Sequence, residues 1–185
     1  MSGCRALNPT EIQSVTAQLT NPRDRALFIL GVKSGFRISE LLSLKVKDVF
    51  SGHRVLDAVR VTRANTKGAI RSRTVPLHQE ARDVLYPLCL GKDLNAPLFQ
   101  SREGKNQAIS RFMAHKLLKA AYEKAGLEGP GLACHTMRKS FSEKVYAALN
   151  FDLLATSAAL GHKDIRNTVR YLEPNKDKIK AAILA

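Results

Sequence analysis

No apolar run in the sequence approaches the roughly 20 residues that a helix needs to cross a bilayer. The first residues, MSGCRALNPTE, also lack the hydrophobic stretch of a signal peptide. Both absences argue against a membrane or exported protein, and a cytoplasmic location is expected. Cysteine is scarce: Cys4, Cys89 and Cys134 are odd in number and fall into no metal-ligand spacing. That argues against a disulfide framework and a zinc site, and leaves reduced structural thiols. Internal repeats, low-complexity tracts and linker-like segments are missing as well. What remains is 185 residues with 44% hydrophobic content, enough to bury one sizeable core in a single domain.

Acidic residues are in deficit. Sixteen Asp and Glu stand against 30 Lys and Arg, a formal charge of +14, and the excess runs along the whole chain rather than in a tail. A folded surface this positive suits a polyanion, because neutralising each phosphate releases condensed counterions. Nucleic acid is the partner class this favours over membrane surfaces and acidic proteins.

Hydrophobic periodicity is mostly helical. TEIQSVTAQL opens with Thr10 as N-cap candidate, and PRDRALFILGVKS has Pro22 at its start and Gly35 at its end. RISELLSL follows at once, with Ile38, Leu41 and Leu42 on one face. Between Arg54 and Leu77 the period changes to two, in RVLDAVRVT and AIRSRTVPL, which predicts a hairpin turning at RANTKG. HQEARDVLYPLCL is a helix disturbed by Pro87, and GKDLNAPLFQSREGKNQ is loop. SRFMAHKLLKAAYEKAG runs from a Ser N-cap to a Gly stop, and the turn GPGLACH leads into TMRKSFSEKVYAALN. DLLATSAALG and DIRNTVRYL are short helices about a glycine corner, the second ended by Pro174, and NKDKIKAAILA closes the chain as one more helix. The fold class is α+β, mainly α-helical, with a small antiparallel hairpin at one edge.

Two arginines stand where local electrostatics disfavours them. Arg37 starts one short helix and Arg138 lies in the first turn of another, each facing the positive end of a helix dipole. Either alone is more often a solvated surface charge, but an anion held between the two would turn the misplacement into a binding device. His135 precedes Arg138 by three, where a lone histidine is more often a cap or a satisfied core group, and His162 follows Gly161 at the glycine corner, where a capping role suits it equally well. Lys67 sits in the hairpin turn NTKGA, with Arg71 and Arg73 on the same ribbon as phosphate-contacting or solvated charges. Tyr171 lies off the apolar stripe of Ile165, Val169 and Leu172, in a segment studded with Lys163, Arg166 and Arg170, but Tyr146 lies off its own stripe as well, so geometry alone does not select Tyr171.

The joint pattern is more specific than its parts. SGFRISELLSLKVKDV, TKG…RTVPL, HTMRKSF and LGHKDIRNTVRYL, in this order and at these spacings, resemble the catalytic domain of the tyrosine recombinases, the phage integrase family. The resemblance covers nearly the whole chain, and implies a single catalytic domain over residues 1–185 without the separate N-terminal core-binding domain of many members. It implies that a tyrosine attacks a DNA phosphodiester to give a 3′-phosphotyrosine link and a free 5′-hydroxyl, with no metal or nucleotide cofactor. Tyr171 matches the nucleophile, Arg37 the first arginine, His135 and Arg138 the H-x-x-R pair, His162 the next histidine and Lys67 the hairpin lysine. Partners implied are double-stranded DNA and further copies of the chain, as a tetramer on paired sites, with no membrane and no small-molecule substrate. Phe36, and the Thr136-Met137 interior of the H-x-x-R pair, depart from the commoner family residues without touching a catalytic group.

The chemistry implied is intelligible. A phenol with a pKa near 10 needs a base, for which His135 is the candidate. Two guanidiniums and His162 would meet charge on the non-bridging oxygens, and Lys67 would protonate the departing 5′-oxygen. Lys163 and Arg166, with Arg71 and Arg73, are candidates for DNA contact. Two alternatives stay open: a non-catalytic DNA reader built on the helix-turn-helix proportions of DLLATSAALGHKDIRNTVRYL, and a DNA-relaxing enzyme resembling type IB topoisomerases.

Overall fold

The computed structural model describes residues 4–61, 73–104, 106–162, 164–169, 180, 183 and 184. They fall into two compact units, Met1–Phe141 and Ser142–Ala185. Among the described residues there are eight α-helices and one two-stranded antiparallel sheet, so the mainly helical α+β class expected from periodicity holds.

In the first unit, α1 (Pro9–Gln18) is capped by Asn8, whose side chain accepts from the Glu11 N–H while the Glu11 carboxylate accepts from the Asn8 N–H. This reciprocal box moves the start two residues ahead of the expected Thr10 cap, because Pro9 at the first helical position has no N–H to satisfy. Helix α2 (Pro22–Ser34) has the expected bounds, with Asn21 as cap and Gly35 ending it in the left-handed region at φ 64°. It is apolar nearly all round, and Ala26 to Val32 are all buried, as a central helix requires. Its Gly31 lies so close to α6 (Cys134–Ala148) that an added Cβ would stand 2.5 Å from the Met137 sulfur.

Helix α3 (Ile38–Ser43) follows Gly35 after two residues and buries Ile38 and Leu41, as predicted. Strands β1 (Ala58–Val61) and β2 (Arg73–Pro76) pair antiparallel, Val59 opposite Val75 and Val61 opposite Arg73. Strand β1 starts later than its alternating segment RVLDAVRVT, because Val55 instead bridges Phe50 and draws that start away from β2; the expected turn RANTKG lies outside the described residues. Helix α4 (Gln79–Cys89) continues through Pro87, which at the last turn forfeits one backbone bond. Helix α5 (Arg111–Lys124) starts at its Ser110 cap. One core runs through all these elements, from Leu7 and Val15 to Leu118, Tyr122 and Met137.

In the second unit, the end of α6 turns at Asn150 and Phe151, both at positive φ, with the Phe151 ring edge-on to Tyr146 at 5.2 Å. Helix α7 (Leu153–Leu160) is capped by Asp152 and stopped by Gly161 at φ 64°. Helix α8 (Arg166–Val169) follows. No helix among the described residues is long and apolar enough to cross a membrane.

Candidate active site

Arg37 is the N-cap of α3, and its backbone N–H donates to Glu40 Oε2 at 2.7 Å. The same carboxylate faces the Arg37 guanidinium, Nη1 to Oε1 at 3.3 Å, so a buried acid three residues on offsets the dipole misplacement read from the sequence. A second cation joins from β2: Arg73 Nη2 lies 3.1 Å from Glu40 Oε2. The Arg73 guanidinium also sits over the Phe36 ring, 5.4 Å from its centroid. Burial pushes the Arg73 pKa down, and Glu40 works against that shift.

Helix α6 begins at Cys134, earlier than expected. His135 is therefore inside the first turn rather than before it, and Arg138 is the fifth helical residue, past the first turn. The start is drawn forward by Thr136, whose hydroxyl accepts from the Ala133 N–H and donates to the Gly131 carbonyl. His135 and Arg138, three apart, share a face. Arg138 is no solvated surface charge: it is 0% exposed, and its Nη1 donates to the carbonyl of Gly35, two residues before Arg37. His135 is solvent-exposed, yet its pKa is held below the ordinary 6.5 by partial burial of the ring and then by the positive charges of Arg138, Arg37 and Arg111. Three of the predicted catalytic residues thus meet in the first unit, from segments a hundred residues apart.

His162 lies in the second unit, directly after the left-handed Gly161, with its N–H donating to the Ser157 carbonyl. The buried Thr168 hydroxyl is 2.7 Å from its Nδ1 and fixes the ring's orientation. Arg166 is exposed and pairs with Asp164 at 2.8 Å. Lys67, Arg71, Lys163 and Tyr171 lie outside the described residues. Sequence reasoning missed Glu40 and Thr168. Glu40 carried a readable signal, an acid at the third helical position after the cap; Thr168 carried none.

The phage integrase family matches residues 5–178. The probable integrase/recombinase YoeC of Bacillus subtilis is 32% identical over 93% of this chain and 90% of its own length. The tyrosine recombinase XerD of Staphylococcus saprophyticus is 30% identical over 92% of this chain, which spans 59% of that protein. Among solved structures, XerA recombinase superposes with a TM-score of 0.77 at 20% identity, over 97% of this chain and 62% of XerA. XerH site-specific recombinase, bound to difH substrate in a pre-cleavage complex, gives 0.74 at 22% identity over 99% of this chain and 55% of XerH. At these identities the two structures speak for the fold. The sequence matches go further: the chain belongs to the phage integrase family, the tyrosine recombinases, enzymes that cleave and rejoin DNA.

Proposed function

We propose that the chain is the catalytic part of a site-specific DNA recombinase that works through a covalent 3′-phosphotyrosine intermediate on double-stranded DNA. The observation that carries this reading is the convergence of Arg37, His135 and Arg138. A fully buried guanidinium, anchored on the Gly35 carbonyl beside a second arginine and a histidine, concentrates positive charge that a DNA phosphate would offset. Among neighbours in fold, XerH is known bound to difH substrate in a pre-cleavage complex and the Tn1549 transposon integrase in complex with circular intermediate DNA, which favours DNA as the substrate class here.

In this reading Tyr171 attacks the phosphorus and the 5′-oxygen leaves, so one phosphodiester is exchanged for another and its free energy is kept for religation. His135, whose pKa is held below the ordinary 6.5 by partial burial and then by the cations around it, takes the phenol proton. Arg37 and Arg138 hold the non-bridging oxygens, and planar forks suit them better than lysines would. His162, oriented by Thr168, donates a further hydrogen bond. Lys67 gives the leaving oxygen its proton. Lys163, Arg166 and Arg71 contact the DNA backbone, and copies of the chain assemble as a tetramer on paired sites.

The test is a nicked suicide substrate, from which the cleaved fragment diffuses away and leaves the protein trapped. The unaltered chain should give a covalent adduct on a denaturing gel, and Tyr171→Phe should give none while binding DNA with the same salt dependence. A trapped adduct from Tyr171→Phe would assign the nucleophile elsewhere. No adduct from the unaltered chain would favour a binding protein without catalysis.

A further inference from the structure

The returning strand of the hairpin turns Arg73 inward. Its side chain is 17% exposed and meets a Glu40 carboxylate that is 3% exposed. That carboxylate is gripped from two sides: Arg73 Nη2 and the Arg37 N–H both reach Oε2, at 3.1 and 2.7 Å, and Arg37 Nη1 stands 3.3 Å from Oε1. Arg73 is fixed in turn by the Phe36 ring, itself 1% exposed. A buried carboxylate needs its charge met, and whichever cation meets it has less to offer another anion. With Arg73 present, Glu40 shares its charge between two guanidiniums. Without it, the carboxylate would draw the Arg37 guanidinium onto itself, away from any phosphate.

We infer that Arg73 is a positioning residue which, by partly neutralising Glu40, leaves the Arg37 guanidinium available to the scissile phosphate. The inference rests on the proposed role of Arg37, and it takes Arg73 out of the set of DNA-contacting candidates. It couples the hairpin strand to the helix start that carries Arg37.

The experiment is a double-mutant cycle read by irreversible trapping on the suicide substrate, which accumulates slow cleavage over hours. Arg73→Met should slow trapping by roughly 10–100-fold in the otherwise unaltered chain, the scale expected when a catalytic group is displaced by about an ångström. In an Arg37→Lys background the same change should cost less than about threefold, because the group it acts through is already altered. The salt slope of DNA binding should not change, whereas loss of a direct phosphate contact would reduce it by about 0.9. Arg73→Lys keeps the charge without the flat stacking fork, should lose less, and serves the same cycle if the methionine variant fails to fold. Equal losses in both backgrounds, no loss in either, or a reduced salt slope would each overturn the inference. Normal trapping by Arg37→Lys alone would instead count against the proposed role of Arg37.

Discussion

Replacing Gly35 by alanine tests the joint between α2 and the candidate site. Gly35 sits at φ 64°, and an added Cβ would fall 2.3 Å from Phe141 Cδ1 and 2.8 Å from Cε1. A left-handed alanine costs about 1–2 kcal/mol. Overpacking against the ring adds about 1–3 kcal/mol, and the stiffer unfolded chain returns about 0.4–1 kcal/mol. The net loss is roughly 1–5 kcal/mol, which for a chain of this length lowers Tm by about 2–20 °C. Function should fall further than stability implies, because the displaced backbone carries the carbonyl that anchors Arg138 and leads within two residues to Arg37. Trapping on the suicide substrate, measured well below the new Tm, should slow by roughly 10–100-fold. In a Phe141→Ala background the overlap is gone, and Gly35→Ala should cost only about 1 kcal/mol. A Gly35→Ala protein that melts within a degree of the unaltered chain and cleaves at its rate would refute this account of the joint.

Three further substitutions probe the two histidines, each in its own unit. His135 should titrate below 6.5 in an NMR pH series, and Arg138→Met should move it back up if the fold is kept. Because its folded pKa is depressed, the unfolded chain takes up the proton first as pH falls. His135 therefore subtracts nothing above about pH 6.5 and erodes stability progressively from there to its folded pKa; a His135→Gln chain should lose that part of the acid slope. Thr168→Val removes the hydroxyl on His162 Nδ1 at nearly constant volume and should cost about 1 kcal/mol in urea unfolding. If the ring orientation matters, it should also slow trapping by several-fold, and unchanged cleavage would remove Thr168 from the site.

What the sequence revealed depended on how far each signal reached along the chain. Pro22 and Gly35 bounded α2 correctly because both act within a turn: proline tolerates the first helical position, and glycine tolerates the left-handed stop. The Asn8 cap and the early start of α6 at Cys134 were missed for lack of one further local pairing each, Asn8 with Glu11 and Thr136 with Gly131. Arg138 shows the other limit. Its helix position marked it as misplaced, but local rules also pointed to a solvated charge, whereas it is buried and donates to the carbonyl of Gly35, 103 residues away. Glu40 and Arg73 belong together for the same non-local reason: a strand pairing sets Arg73 opposite Val61 and turns it toward an acid 33 residues earlier. The ordered set of motifs was legible because each is short and internally spaced. The network that orients their side chains was not, because it is written in tertiary contacts between residues that look ordinary where they stand. The residues least conspicuous in the sequence, Glu40 and Arg73, are therefore the ones whose substitution best tests whether the arginines function as a placed pair rather than as a sum of charges.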